Sequence, residues 1–174
     1  MTEQTQTYLS YLGVSLGIIL LVTVLLWLGW RGRRRRQSGL PAPDEVPDRL
    51  LEEEPRIGAE GMVVGTVAAE DHLDRIAVHG LGLRSHGRIE VHDDGVAVLR
   101  AGARNYLIPR EGLTHIRTDR GVVGKFVESD GVLIIGWRLG GTPVETAFRP
   151  RYARTQQPLL EQLQTIVEEE TNTP

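Results

Sequence analysis

Arg88-Ile89-Glu90-Val91-His92-Asp93-Asp94-Gly95-Val96-Ala97-Val98-Leu99-Arg100 decides the fold class of this chain. Across the first five residues polar and apolar side chains alternate with the period of two that a strand with one buried face imposes. Asp93-Asp94-Gly95 supplies turn chemistry, and the β-branched run from Val96 then resumes the pattern, so the stretch predicts an antiparallel hairpin.

Working outward, residues 62–68, 105–109, 113–118, 121–127, 132–139 and 144–148 repeat the strand signature, and Gly140-Gly141-Thr142-Pro143 marks a turn between the last two. Strands recurring every ~8–12 residues with glycine-containing turns predict an antiparallel barrel or sandwich. After Arg151 the period changes. Leu159, Leu160, Leu163, Ile166 and Val167 fall on one face at helical spacing, predicting an amphipathic helix over 156–169 that caps the β-structure. The fold class is mainly β, with the globular part over 57–170 and a tail at 171–174.

The N-terminal end has different physics. Residues 8–30 carry no charge and are dominated by Leu, Ile and Val. At 1.5 Å per residue such a helix reaches roughly 34 Å, enough to cross a ~30 Å hydrocarbon core. Tyr8 and Tyr11 at one end and Trp27 and Trp30 at the other sit where amphipathic rings prefer the headgroup level. A cleaved signal peptide would carry positive charge before the apolar run, whereas here Glu3 precedes it and Arg31, Arg33, Arg34, Arg35 and Arg36 follow it. That asymmetry predicts an uncleaved plasma-membrane anchor with residues 1–7 outside and the C-terminal domain in the cytoplasm. The arginine collar sets orientation and also attracts anionic headgroups. Gly13 and Gly17 form a G-x-x-x-G pair, the spacing that lets two membrane helices approach closely, and are a candidate helix interface.

Residues 37–55 turn to Pro, Gly, Ser and acid, with six carboxylates against Arg49 alone. Together with the collar, residues 31–56 read as an extended, semi-rigid linker whose acidic part anionic headgroups would repel.

Composition removes several function classes. With 20 basic and 23 acidic side chains the chain gives no support for nucleic-acid binding, and without cysteine it has no thiolate chemistry. Nineteen of the 20 basic residues are arginine and Lys125 is the single lysine, a bias that points to a high-GC bacterial source. His72, His79 and His86 recur at intervals of seven, but no short-spaced pair of the HExxH kind accompanies them, and ordinary surface histidines explain the spacing. Gly80-Leu81-Gly82 lacks the third glycine and the βαβ setting of a dinucleotide fingerprint, and reads as a turn or bulge. No serine sits in a G-x-S-x-G context, and Asp93-Asp94 before a glycine reads as a turn. The expectation is a protein without catalytic residues, metal or cofactor. Glu168-Glu169-Glu170 reads as a solvated, frayed end.

Several strands followed by one C-terminal helix is the layout of pleckstrin-homology-like (PH-like) domains. The sequence also resembles the PH-like domain proteins of actinobacterial membranes, in which one N-terminal span precedes the module. The resemblance rests on Leu73-Asp74-Arg75, on Val78-His79-Gly80-Leu81-Gly82-Leu83-Arg84, on Ile108-Pro109, on Gly124-Lys125, and on Trp137 with the segment ending in Phe148-Arg149. It implies a membrane-tethered, noncatalytic interaction or scaffold module whose partners are the bilayer and a membrane or cytoplasmic protein. Eukaryotic PH domains that bind phosphoinositides cluster basic residues in the loop after the first strand. Here that loop holds Asp71, His72, Asp74 and Arg75, so no specific phosphoinositide is expected. Arg75, His79, Arg84, Trp137 and Arg149 are candidates for lining a partner groove, although core packing is the plainer role for Trp137 and a solvated or ion-paired surface the plainer role for the arginines. The alternative is an accessory subunit of a transporter or export complex that contacts its partners through the membrane helix.

Overall fold

The computed structural model describes residues 3–119 and 131–171. The strand expected over 121–127 and the pair Gly124-Lys125 lie outside the described residues. The chain divides into two compact units, Met1–Ser38 and Gly39–Pro174.

The first unit is one helix, α1 (Glu3–Arg36), which holds the collar arginines Arg33, Arg34, Arg35 and Arg36 in its last turn. Its stretch Tyr11–Gly29 is long and apolar enough to cross a membrane, and none of it is buried within the protein. Its apolar side chains are exposed, Leu20 at 66% and Leu26 at 69% among them. The Thr23 hydroxyl donates to the Ile19 carbonyl at 2.8 Å, which satisfies the polar group inside the helix. Arg31 sets its guanidinium 5.5 Å from the Trp27 ring, pairing collar and aromatic belt.

The second unit contains a short helix α2 (Asp48–Glu52), strands β1 (Ile57–Ala68), β2 (Asp71–Arg75), β3 (Ser85–His92), β4 (Gly95–Arg100), β5 (Tyr106–Pro109), β6 (Leu113–Asp119), β7 (Val132–Leu139) and β8 (Thr142–Pro150), and a final helix α3 (Gln156–Thr171). The strands form one antiparallel sheet in the order β5-β4-β3-β1-β8-β7-β6, with β2 on β1. Arg88–Arg100 is the predicted hairpin, with Val91 opposite Val96 and Ile89 opposite Val98. Gly95 is required at its turn: its φ of 142° lies where side chains are strained, and a Cβ there would stand 2.1 Å from the Ile108 carbonyl oxygen.

The sheet does not close into the barrel that the sequence left open as an option. Its end strands β5 and β6 do not pair. β5 has four residues and ends at Pro109, which has no N–H to donate, and the 3-10 turn Arg110–Gly112 then redirects the chain. The open side is filled by α3, which packs against β6, β1 and that turn and buries Leu159, Leu163 and Ile166 completely. At ~2 kcal/mol for each fully buried aliphatic side chain, those three account for much of what holds the helix in place.

Inward positions of the strands supply the core: Val63, Ile89, Val91, Val98, Leu133, Ile135, Val144 and Phe148 among others. Within it the Trp137 ring stacks on Tyr106 at 6.0 Å, joining β7 to β5 across the interior. Trp137 Nε1 donates to Thr146 Oγ1 at 2.9 Å, and Thr146 Oγ1 lies 2.9 Å from Thr66 Oγ1, so these three groups satisfy one another.

Three expectations are corrected. Residues 71–75, read as a loop, include strand β2, which pairs with the end of β1 across a register shift between Val67 and Ala68. Part of the segment expected as an extended, semi-rigid linker lies against the sheet: Leu107 N–H donates to the Asp44 carbonyl at 2.8 Å, and Leu50, 1% exposed, forms with Val46 a small second core on Ala97, Leu99 and Leu107. Arg104 pairs with Glu45 and Arg49 with Asp94 at its margins. Prolines fix the segment as extended, but its two apolar residues have a sheet face to cover, and burial outweighs detachment. The acidic end is tied down too. Glu169 pairs with Arg56 and with Arg110 at 3.2 Å each, and Glu170 with Arg110 at 3.2 Å.

Leu50→Ala is expected to cost about 2 kcal/mol locally. Hydrogen exchange should show the Leu107 amide, bonded to Asp44, opening faster, with the Ile135 amide of the central sheet unchanged.

Candidate interaction site

One concavity runs across strands β4, β3, β1 and β8. On the outer face of β4-β3-β1-β8, the register sets Met62 between His86 and Arg149, and Arg88 between Glu60 and Leu99. Gly61 and Gly87 face each other at the centre of the β1–β3 ladder. The open cleft of about 910 Å³ is lined by Met62 and Leu99 and by Arg84, Arg88, Arg149 and Arg151, with Glu60 the one acid among the described residues.

The lining arginines differ in how firmly they are held. Arg88 pairs with Glu90 at 2.8 Å and Arg151 with Glu60 at 3.7 Å. Arg84 lies against the Met62 sulfur. Among the described residues, neither Arg84 nor Arg149 pairs with a carboxylate. Arg100, also at the cleft, is a structural clamp: Nε donates to the Arg104 carbonyl and Nη1 to the Gly80 carbonyl, each at 2.8 Å, and the guanidinium covers the Tyr106 ring at 4.9 Å. Burial lowers its pKa, with Tyr106 acting in the opposite sense.

Of the five groove candidates, the structure brings Arg84 and Arg149 together at this cleft. Arg75 instead donates through Nη1 to the Gly82 carbonyl at 3.1 Å and the Val64 carbonyl at 3.3 Å, pinning the β2–β3 connection onto β1. His79, at φ 55°, contacts the Leu40 carbonyl through Nε2 at 2.9 Å. Trp137 is core. Sequence reasoning missed Met62, Arg88, Leu99 and Arg151. The alternation in residues 88–92 already puts Arg88 on the outer face; what it lacks is the register that sets it beside Leu99.

A second polar cluster lies on the outer face of β6-β7-β8. Glu145, with its side chain 7% exposed, accepts from Arg117 Nη2 at 2.7 Å, contacts His115 Nε2 at 3.0 Å, and has His72 Nδ1 at 3.4 Å. Gly136 makes room for the His115 ring, whose nearest atom would stand 2.2 Å from a Cβ at that position. The three histidines spaced by seven are scattered accordingly: His72 at Glu145, His79 at Leu40, His86 at the cleft. Among the described residues no group of three or more His, Asp or Glu side chains is placed to hold a metal ion.

Burial pushes the Glu145 carboxyl up, but hydrogen bonds from Arg117 and His115, with the charges of Arg117 and His72, outweigh it and hold the carboxyl below its ordinary value of 4.5. The stability this group contributes is therefore complete above that value and is lost as pH falls through its lower folded pKa. Glu145→Gln is expected to destabilise the protein by about 2 kcal/mol near neutral pH. Denaturant titration of both proteins in micelles should show the gap narrowing at acid pH; a constant gap would assign the loss to packing.

An antiparallel sheet of this order, closed off by one C-terminal helix and carrying its open cleft on the sheet exterior, is a PH-like domain. A family model described as bacterial PH domain-like matches residues 39–164, and the chain belongs to that family. PH-like domains are generally noncatalytic protein or lipid interaction modules. No curated protein matches the sequence. Among solved structures, a chain described as Vav1 inhibited by an allosteric inhibitor aligns with 14% identity and a TM-score of 0.41, over 73% of this chain and 30% of that one.

Proposed function

We propose that this protein is a noncatalytic interaction module held at the cytoplasmic face of the plasma membrane by α1, and that its globular unit recognises a protein partner. The observation that carries the reading is the cleft on the sheet exterior, lined by Met62 and Leu99 together with several arginines. Clusters of this composition suit protein recognition, in which arginine is enriched at contact surfaces. The tether is supported by the exposed apolar stretch Tyr11–Gly29 and by the five arginines that follow it with none before it. The β1–β2 region argues against phosphoinositide recognition: Asp71 Oδ1 accepts from the Leu73 amide at 2.9 Å, Arg75 is committed to backbone carbonyls, and no basic cluster is present there.

The alternative, an accessory subunit bound through the membrane helix, draws on Gly13 and Gly17, where a Cβ added at either position would meet nothing within 4 Å and the helix surface is open to a neighbour. Crosslinking in native membranes followed by mass spectrometry separates the two. Partners should survive Gly13→Leu with Gly17→Leu and be lost with Arg84→Glu and Arg149→Glu. The reverse pattern would favour the subunit reading.

A further inference from the structure

The cleft is the open continuation of a surface that the chain's own acidic segment already covers. Leu99 belongs to both halves, packing in the small core under Leu50 and lining the cleft. On the covered half, Val46 and Leu50 sit on Ala97, Leu99 and Leu107, while Glu45 pairs with Arg104 at the margin. On the open half, the half-buried Met62 and Leu99 line the cleft together with the exposed Arg84 and Arg149. The sheet thus shows, within one molecule, how it accommodates an acidic segment bearing apolar residues.

We infer that the open cleft binds an extended, acidic, apolar-bearing segment of a partner protein, its apolar side chain on Met62 and Leu99 and its carboxylates on Arg84 and Arg149. This rests on the proposed reading of the protein as an interaction module. Charge selects the ligand: residues 39–174 carry 15 basic against 22 acidic side chains, so an anionic segment is repelled by the unit as a whole and attracted to the cleft, where among the described residues arginines outnumber acids. A chain segment is favoured over a bilayer by the precedent on the adjoining half of the sheet, where Val46, Leu50 and Glu45 of the chain itself are seated. Met62 suits the role, since an unbranched thioether adapts to varied apolar partners.

The test uses the full-length protein in phosphatidylcholine nanodiscs and, as probe, a fluorescent synthetic peptide of residues 41–55, PAPDEVPDRLLEEEP, which has the required chemistry. Binding should weaken about tenfold in the Arg84→Glu, Arg149→Glu double variant and fall with added salt. It should persist in Arg138→Glu, an exposed arginine on β7, and be absent for the same peptide with its acids changed to lysine. Matching far-UV spectra and thermal midpoints establish that the double variant is folded. Peptide binding that is absent, or that ignores the double variant, overturns the inference. So does loss, in that variant alone, of binding to vesicles containing phosphatidylglycerol, which would make the cleft a lipid site. A photo-crosslinker at Met62 in native membranes separates this failure from that of the broader reading. Protein adducts at Met62 without peptide binding would leave an interaction module with a different ligand chemistry, whereas no adducts there would remove the cleft from the function altogether.

Discussion

Trp137→Ala is expected to cost about 4 kcal/mol and to lower the thermal midpoint of the globular unit by more than about 10 °C. The side chain is 1% exposed, stacks on Tyr106 at 6.0 Å and is bonded through Nε1 to Thr146. Removing it takes away both the aromatic link between β5 and β7 and the donor that completes the buried threonine pair. These strands lie on opposite halves of a sheet that does not close, so no ladder between β5 and β6 compensates. Trp137→Phe keeps most of the stacking and loses only the hydrogen bond, a cost of about 1 kcal/mol. Thermal melts followed by near-ultraviolet circular dichroism in micelles should order the three proteins as parent, Phe, Ala. Equal losses for Phe and Ala would place the whole effect on the hydrogen bond.

The second large effect lies in the other unit. Changing Leu20 and Leu21 to Asp places two charges in the middle of the apolar stretch Tyr11–Gly29. Each charge near a span centre disfavours insertion by about 3 kcal/mol. The double variant should therefore leave the carbonate-resistant membrane fraction, while Leu51→Asp, at a position already 52% exposed on the globular unit, should not. Retention of the Asp pair in the membrane would mean that something other than this helix anchors the chain.

How much of this was readable in advance depends on the range of the interactions. The hairpin of Arg88–Arg100 and the boundaries of β7 follow from local alternation and turn residues, and so does the amphipathic face of α3. Residues 41–56 misled because proline and acid specify an extended chain but not whether it is detached; only the sheet face presented by Ala97, Leu99 and Leu107 gives Val46 and Leu50 a place to go. Closure could not be settled locally either, since it turns on the four-residue length of β5. The cleft was half legible. Arg84 and Arg149 were singled out, yet they are far apart in sequence and meet only because Met62 of β1 lies between β3 and β8. Arg75 and His79 sat in an equally suggestive stretch, but their side chains are spent on the carbonyls of Gly82, Val64 and Leu40. Glu145 gave no signal at all, because its partners His72, His115 and Arg117 come from two other strands.

The proposed function requires a single crossing that carries the PH-like unit to the cytoplasmic side, and the absence of cysteine makes that topology directly measurable. Thr5→Cys and Gln164→Cys, one before the span and one at an exposed position of α3, would be labelled in intact cells with a membrane-impermeant maleimide. The expected result is labelling at position 5 in intact cells and at position 164 only after permeabilisation. Labelling at 164 in intact cells would put the arginine cleft outside the cell and contradict the account.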